Sequence, residues 1–250
     1  MQNLEGLQLG KFKVSKLIGI GGFSVVYQVE DTRDKRTKII KLLAKEWIEV
    51  PKVASSFIEE SIIAQSLNHP NVIRVLESGK VYGQPYYLMD YWGEKNLYQW
   101  VNKSNFVPNI HLVHNILTQL AEGLDYIHSQ GYVHRDVKPQ NIQISEDNKI
   151  KILDFGLVER IIGSRLRVIG VSGTKRYMAP EQYTGRKLDV TIDSYAFGVI
   201  SSELLKKTEI KIPEQSSELL GMALSKNPHK RPSNLERFVI TLFKPLIGNG

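Results

Sequence analysis

Hydrophobic and polar positions change their spacing along the chain close to Trp92. Before that residue, apolar and β-branched side chains alternate or cluster in short runs, which is typical of β-strands. We predict strands at Lys11–Leu17, Val25–Glu30, Thr37–Leu43, Val72–Leu76 and Tyr86–Asp90. One helix is predicted among them, from about Ala54 to Leu67, because its apolar residues recur at helical spacing. Ser55 or Ser56 is its candidate N-cap.

After Trp92 the apolar positions recur as they do on one face of a helix. The longest stripe, which ends before Gly131, comprises Leu112, Val113, Ile116, Leu117, Leu120, Leu124 and Ile127. Further helices are predicted at about Ser194–Lys206, Ser216–Ser225 and Asn234–Phe243. A strand-rich part followed by a helix-rich part predicts one α+β domain of two lobes, with an N-lobe of about residues 1–90, a connection at 90–93 and a C-lobe at 94–250.

Composition sets the broad class of the protein. A chain of 250 residues that is 42% apolar and 24% charged can bury a core of ordinary size. The sequence has no cysteine, which excludes disulfides and suits a reducing compartment, so we expect a cytoplasmic location. It contains no apolar run long enough for a membrane span, and its first residues do not form a secretory signal. The net charge of +7 comes from scattered residues, so we expect no nucleic-acid partner.

Candidate chemistry is concentrated around two short apolar runs, Ile142–Ile144 and Ile150–Leu153. A polar stretch separates the runs, which predicts a β-hairpin. Asp136 and Asn141 precede the hairpin and Asp154 follows it, so the hairpin should bring the three side chains together. Two carboxylates and an amide at one place suit chemistry on a complex of phosphate and metal.

The stretch HRDVKPQN at 134–141 and the DFG at 154–156 resemble the catalytic loop and the metal-binding motif of the protein kinase family. The resemblance implies that Asp136 accepts the proton of the substrate hydroxyl, and that Asn141 and Asp154 hold Mg²⁺. Lys138 and Thr174 resemble the serine/threonine class of the family. In that class the lysine contacts the transferring phosphate, and the threonine braces the lysine and the catalytic aspartate.

The first ninety residues resemble the nucleotide-binding half of the same family. Gly19, Gly21, Ser24 and Val26 match its glycine-rich loop, placed between two predicted strands. The remaining counterparts are the lysine that binds the α- and β-phosphates, its glutamate partner, the gatekeeper and two residues whose backbone meets adenine, namely Lys41, Glu60, Met89, Asp90 and Trp92. Glu59 is the adjacent rival of Glu60. The resemblance implies ATP and Mg²⁺ as cofactors, and transfer of the γ-phosphoryl group to Ser/Thr hydroxyls of protein substrates.

Two departures from the family pattern affect the adenine pocket. Ile39 stands where a small alanine usually roofs the base, and Gln143 stands where leucine usually floors it. A polar floor costs desolvation free energy unless it is hydrogen-bonded. These departures keep open a pseudokinase, a nucleotide-binding scaffold with weak or no transfer activity. A small-molecule kinase is a second alternative, which the A-P-E motif ending at Glu181 argues against, since that segment positions peptides in the family.

The resemblance also covers the C-terminal part. Glu181 should pair with Arg231, and Asp193 should brace the backbone of the catalytic loop. The stretch from Gly198 to Arg231 is too short for the family's docking helix, so we expect a compact C-lobe in which a polar replacement, a partner or a second copy covers the shortened face. Lys175 and Arg176 should favour acidic residues beside the acceptor hydroxyl.

Overall fold

The computed structural model describes residues 4–93, 95–103, 106–156, 158–160, 175–183 and 189–248. The chain divides into two compact units. The first comprises residues 1–68 and 73–92, and the second comprises residues 69–72 and 93–250. The first unit is rich in strands and the second is rich in helices, which confirms the α+β prediction.

The first unit is built on a six-stranded sheet with the order β1-β2-β3-β4-β6-β5, in which all neighbours are antiparallel. Its strands are β1 (Gln8–Leu9), β2 (Phe12–Ile20), β3 (Ser24–Asp31), β4 (Thr37–Leu43), β5 (Val75–Val81) and β6 (Gln84–Asp90). Alternate residues project to opposite faces of a sheet. One face carries a buried apolar cluster that includes Val25, Tyr27, Ile40, Leu42 and Leu88. The other face carries Val26, Ile39, Lys41 and Met89, and the single long helix of the unit contacts β5 and β6.

That helix, α1, spans Pro51–Ser66. The prediction that it starts near Ala54 with a serine cap is wrong. Proline at the first helical position fixes φ at a helical value and needs no capping of its missing N–H. Ser55 and Ser56 therefore lie inside the helix, where both hydroxyls donate to the carbonyl of Lys52.

The predicted strand Val72–Leu76 is also corrected, because β5 begins only at Val75. Val72 instead forms a parallel bridge with Ile152, and residues 69–72 belong to the second unit. The buried ammonium of Lys151 holds this segment by donating to the carbonyls of Pro70 and Val72, at 2.8 and 3.2 Å. A pairing with residues so far along the chain leaves no trace in the local pattern.

The second unit consists of helices around two small sheets. Its helices are α2 (Leu97–Val101), α3 (Ile110–Ser129), α4 (Thr191–Lys207), α5 (Glu214–Ala223) and α6 (Leu235–Ile247). Its strands are β7 (Lys95–Asn96), β8 (Tyr132–Val133), β9 (Ile142–Ile144), β10 (Ile150–Ile152) and β11 (Glu159–Arg160), in the sheet orders β10-β9-β7 and β11-β8. The apolar stripe of α3 is buried except for the partly exposed Leu112, and the Asn109 side chain caps the helix by accepting from Leu112 N.

The connection between α4 and α5 is short. The described stretch 208–213 contains no helix, so the prediction that the docking helix is missing is confirmed for this part of the chain. α5 then packs against both α4 and α6. Among the described helices, none combines the length and the apolar character needed to cross a membrane.

Candidate active site

The side chains predicted to meet a nucleotide share one face of the first unit's sheet. Val26 pairs directly with Lys41, and Ile39 pairs with Met89. Direct partners and residues two apart project to the same side of an antiparallel sheet. The residues that alternate with them form the apolar cluster of the opposite face. The sheet therefore places these four side chains together, facing away from that cluster.

The glycine-rich loop joins β2 to β3 by a tight turn, in which Gly21 N donates to Ser24 O at 2.8 Å. A Cβ added at Gly21 would lie only 3.3 Å from the hydroxyl of Ser24, whose side chain is buried. At Gly19 an added Cβ would meet no heavy atom of the described residues within 4 Å. Gly21 thus allows the two sides of the turn to approach closely, since a side chain there would crowd Ser24. Gly19 leaves open space in which a phosphate could approach the backbone.

Lys41 forms an ion pair with Glu60 of α1, with Nζ 2.7 Å from Oε1. This confirms the predicted pairing and excludes the rival Glu59, whose side chain is exposed. The two side chains are only 12% and 8% exposed, so solvent screens the pair weakly. Tyr87, which the sequence analysis did not single out, donates its hydroxyl to the same Glu60 oxygen at 2.6 Å. Glu60 of α1, itself held by Tyr87 of β6, therefore fixes the position of the Lys41 ammonium group on β4.

Asp90 ends β6 and Trp92 is the last residue of the first unit. The amide of Asp90 donates to Arg74 O at 3.2 Å, which ties the end of β6 to the chain before β5. Both residues follow Met89 in the chain, as the comparison with the family requires. Their contact with adenine remains a prediction.

In the second unit, the catalytic loop holds Asp136 from two sides. Lys138 Nζ lies 2.7 Å from Asp136 Oδ2, and Asn141 Nδ2 donates to the same oxygen at 3.0 Å. A second bond from Asn141 Nδ2 reaches the backbone carbonyl of Asp136, also at 3.0 Å. Asp136 is thus an oriented carboxylate beside a cation, which is the arrangement that a hydroxyl proton acceptor needs.

The predicted hairpin is confirmed, since β9 and β10 pair antiparallel with Ile150 opposite Ile144. Leu153 N donates to Asn141 O at 2.8 Å, so the hairpin returns the chain to the catalytic loop one residue before Asp154. Asp154 has a φ of 62°, in the left-handed region that is uncommon for a non-glycine residue. Phe155 is buried and its ring lies 5.5 Å from that of His134.

His134 joins the two motifs through its imidazole ring. Its Nε2 lies 3.0 Å from Leu153 O, and its Nδ1 accepts from Asp136 N at 3.3 Å. A carbonyl can only accept and a backbone amide can only donate, so the ring proton must be on Nε2. The loop that carries Asp136 is therefore hydrogen-bonded through one side chain to the strand that leads to Asp154.

Asp193, at the start of α4, braces the catalytic loop as predicted. Its two carboxylate oxygens accept from the amides of His134 and Arg135, both at 2.8 Å, and His128 Nε2 donates to it at 2.8 Å. Burial by itself raises the pKa of Asp193, but the hydrogen bonds from His128 and the loop amides outweigh it, so that the pKa is lowered. Arg135 has a φ of 68°, so this carboxylate stabilises a strained turn.

The side chain of Gln143, in β9, does not carry the desolvation penalty expected for a polar residue at the floor of the adenine pocket. Its Nε2 donates to Gly93 O at 2.5 Å, so the amide is hydrogen-bonded rather than stranded in an apolar pocket. The methylene groups of the side chain remain available to pack against a flat ring. The structure thus removes the main physical objection to nucleotide binding that the sequence raised.

The residues present fit the Mg²⁺ that the family implies. Mg²⁺ takes oxygen ligands and is usually held by one or two protein groups together with phosphate oxygens and water. Because both hydrogen bonds of Asn141 use its Nδ2, its amide oxygen stays available beside the strand that leads to Asp154. No group of three His, Cys, Asp or Glu side chains in the described ranges could hold a metal ion.

The segment that follows the catalytic motifs is anchored by a buried ion pair. Arg231 contacts both oxygens of Glu181, at 2.5 and 2.9 Å, and also donates to Thr191 O and Ser225 O. This confirms the predicted pairing. Gln182 adds a link that the sequence analysis missed, since its Nε2 donates to Arg135 O at 3.1 Å. Thr174, predicted to brace Lys138, lies outside the described residues.

The missed contributors are Tyr87, Gln182 and His128. Each acts through a side chain that meets a partner distant in sequence, and none belongs to a motif with fixed spacing. The only usable signal was that Tyr87 lies two residues before Met89, on the same face of a predicted strand.

Comparison with known proteins identifies the same family as the motifs do. The profile of the family described as protein kinase domain matches residues 12–217. The probable serine/threonine-protein kinase PknB of Lactococcus lactis subsp. lactis is 31% identical over 234 residues, which cover 91% of this chain and 37% of that protein. The serine/threonine-protein kinase pkn2 of Myxococcus xanthus is 34% identical over 203 residues, which cover 78% and 24%. The chain therefore spans less than half the length of these relatives.

A solved structure supports the same fold. The kinase domain of Mycobacterium tuberculosis PknI superimposes with a TM-score of 0.73 at 24% sequence identity, covering 96% of this chain and 98% of that one. At this identity the likeness concerns the fold.

Proposed function

Because the chain belongs to the protein kinase domain family, we propose that it is a serine/threonine protein kinase that transfers the γ-phosphoryl group of ATP to hydroxyl groups of protein substrates. The observation that carries the proposal is the Asp136 carboxylate, held by Lys138 at 2.7 Å and by Asn141 at 3.0 Å. The names of the relatives support the serine/threonine class.

Each residue has a role that follows from its surroundings. Asp136 accepts the proton of the attacking hydroxyl, and Lys138 neutralises charge on the group in transfer. Lys41, fixed by Glu60 and Tyr87, binds the α- and β-phosphates. Mg²⁺, held by Asn141 and Asp154, supplies charge neutralisation at the phosphate oxygens when it is bound. Thr174 completes the set by bracing Lys138 and Asp136.

The remaining residues bind the nucleotide. The turn that contains Gly19, Gly21 and Ser24 lies against the phosphates, and the adenine ring contacts Val26, Ile39, Met89 and Gln143 and the backbone of Asp90 and Trp92. The pseudokinase alternative rests on Ile39 and Gln143 alone. The hydrogen bond from Gln143 to Gly93 supports the active enzyme, because the polar floor is satisfied without a ligand.

Transfer of labelled phosphate from Mg-ATP, to the chain itself and to a generic protein substrate, tests the proposal. Asp136→Asn should lower turnover by about 100-fold or more while ATP binding persists, since only the proton acceptor is lost. Asp154→Asn should abolish Mg²⁺-dependent transfer without unfolding the protein. Lys244→Ala, a change of an exposed lysine on α6, serves as the matched control. Equal activity in all four proteins would contradict the proposal.

We propose that this kinase works on protein substrates in the cytoplasm, which the cysteine-free sequence supports. The partner or second copy expected on the shortened face stays a prediction. Ile210 and Met222, at 41% and 50% exposure, are the apolar side chains there that such a partner could cover. Sedimentation over a range of concentrations measures whether a second copy does so.

A further inference from the structure

The second unit contains a cavity of about 230 Å³ beside the catalytic loop. Its walls come from α2, from Pro139, from the turn Lys175–Tyr177 and from α4. Pro139 follows Lys138, whose ammonium contacts Asp136, so the cavity begins next to the proposed proton acceptor. A side chain that flanks the acceptor hydroxyl in an extended peptide is therefore the group best placed to enter it.

The carboxylate of Glu203 is already engaged in this cavity. Arg176 Nε lies 2.5 Å from Glu203 Oε1, and the hydroxyl of Tyr177 donates to Glu203 Oε2 at 2.9 Å. Burial and the bond to Glu203 raise the pKa of Tyr177, so the phenol stays a neutral donor. Among the described residues that line the cavity, Glu203 is the only carboxylate. Its negative charge is thus paired with Arg176 before any peptide binds, although Oε1 accepts no hydrogen bond from the described residues.

The remaining charge of the lining is positive. The side chain of Arg176 is 68% exposed, so part of its guanidinium still faces solvent. Lys207, on the last turn of α4, is exposed and forms no ion pair with another described residue. The carbonyl end of α4 offsets part of the lysine charge. Arg176 and Lys207 together with the single carboxylate of Glu203 leave the lining with a net charge of one positive unit, above an apolar base formed by residues such as Leu97 and Ile200, so the cavity attracts anions.

We infer that this cavity is a substrate subsite for an anionic side chain, a carboxylate or a phosphorylated serine, close to the acceptor hydroxyl. The inference rests on the proposed function and names its substrate class. The anionic group is placed between Arg176 and Lys207, and its methylene groups contact the apolar base. An unpaired Glu203 would select a basic side chain instead, so the contact with Arg176 sets the sign of the preference.

Peptides with one serine acceptor test the inference when alanine, glutamate, phosphoserine or lysine is placed in turn at each flanking position. At one position glutamate should raise kcat/KM roughly three- to tenfold over alanine, and lysine should lower it. A larger gain with phosphoserine than with glutamate would identify a phosphorylated residue as the preferred ligand, since the phosphate carries more charge. A preference for lysine at that position would overturn the inference.

Three variants locate the preference in the cavity. Lys207→Ala should remove most of the preference for glutamate, whereas Lys206→Ala should not, because Lys206 lies on the same turn of α4 but does not line the cavity. Arg176→Ala frees Glu203, so the preference at that position should change to lysine. A change of sign requires a folded protein, so misfolding cannot imitate it. An unchanged preference in both Lys207→Ala and Arg176→Ala would overturn the inference.

Binding of the same peptides, measured by fluorescence anisotropy without ATP, separates this inference from the proposed function. Tighter binding of the acidic peptide supports the subsite whether or not phosphate is transferred. Absence of transfer together with that binding preference would contradict only the kinase proposal. Equal binding of the acidic, neutral and basic peptides would contradict the subsite.

Discussion

Tyr86 and Tyr87 are neighbours on β6 that project to opposite faces of the sheet. The hydroxyl of Tyr87 donates to Glu60 at 2.6 Å, on the side of Lys41. The hydroxyl of Tyr86 donates to Glu77 at 2.8 Å, and burial together with this bond raises its pKa to about 12. The two phenols make the same type of bond, but only one of them supports the phosphate-binding lysine.

Changing each tyrosine to phenylalanine therefore separates stability from function. Both Tyr87→Phe and Tyr86→Phe should lower the free energy of unfolding by roughly 1.5–3 kcal/mol, the loss expected for a hydrogen bond to a charged group. Only Tyr87→Phe should raise the KM for ATP, because Glu60 then holds Lys41 less firmly. Urea unfolding and steady-state kinetics on both variants measure this. A similar rise in KM for Tyr86→Phe would contradict the assignment.

Single residues also show where sequence-based prediction stops. The motifs predicted that Lys41 pairs with Glu60 and that Glu181 pairs with Arg231, because family spacing encodes both pairs. They could not predict the partner of Gln143, since Gly93 lies fifty residues earlier in the chain and accepts the hydrogen bond with its backbone carbonyl. Contacts of that kind depend on the folded path of the chain rather than on residue type.

At the scale of elements, the N-terminal segment supports β2 just before the glycine-rich loop. The register of β2 against β3 shifts twice, between Val14 and Lys16 and again between Leu17 and Gly19. Beside the second shift, Glu5 Oε1 accepts from Leu17 N at 2.8 Å. The carboxylate thus covers the free edge of the strand two residues before Gly19.

Glu5→Ala should loosen the glycine-rich loop, raising the KM for ATP about two- to fivefold and leaving kcat nearly unchanged, since one exposed hydrogen bond contributes about 1 kcal/mol. Glu5→Gln keeps an oxygen acceptor and should restore most of the affinity. Hydrogen exchange at the amide of Leu17 gives an independent readout, which should accelerate in Glu5→Ala. An unaltered KM together with accelerated exchange would restrict the role of Glu5 to local structure.

Element types were predictable from the sequence, and some boundaries were not. β4 occupies the predicted Thr37–Leu43, because β-branched and apolar residues fill the strand. The start of α1 was missed because a proline began the helix three residues before its apolar pattern became visible. The predicted start of β5 was three residues too early, because Val72 pairs with Ile152 instead, and no local signal reveals that pairing.

At the scale of the molecule, stability depends on charges buried within each unit. The side chain of Arg231 is fully buried, and the carboxylate of its partner Glu181 is nearly so. Glu181→Gln should lower the free energy of unfolding by about 3–5 kcal/mol, since it leaves a buried cation without its counter-charge. The double variant with Arg231→Met should recover part of the loss. Thermal unfolding of both measures this, and a double variant less stable than the single would contradict it.

Asp31 is a buried charged residue of the first unit that is likewise paired with cations. Its buried carboxylate accepts from Arg33 and Lys38, and these bonds lower its pKa below the ordinary value of aspartate. A lowered pKa contributes stability above the unfolded-state pKa of about 4, and that contribution is lost as the pH falls through the folded-state pKa. Stability should therefore decline below about pH 4, and Asp31→Asn should flatten this decline. Urea unfolding between neutral and acidic pH tests it, and an equally steep decline in the variant would contradict the assignment.

The short connection between α4 and α5 is a place at which the protein could be given a new binding partner. α5 is fixed independently of the connection, by the hydroxyl of Ser216 on Leu242 O and by a close approach to Gly198, where an added Cβ would lie 2.8 Å from Ala223. Glu209–Lys211 are exposed, and lengthening an exposed loop costs little entropy. The stretch is therefore a natural grafting point, at which a foreign helix could be inserted to redirect the enzyme while its packing and its catalytic loop stay unchanged.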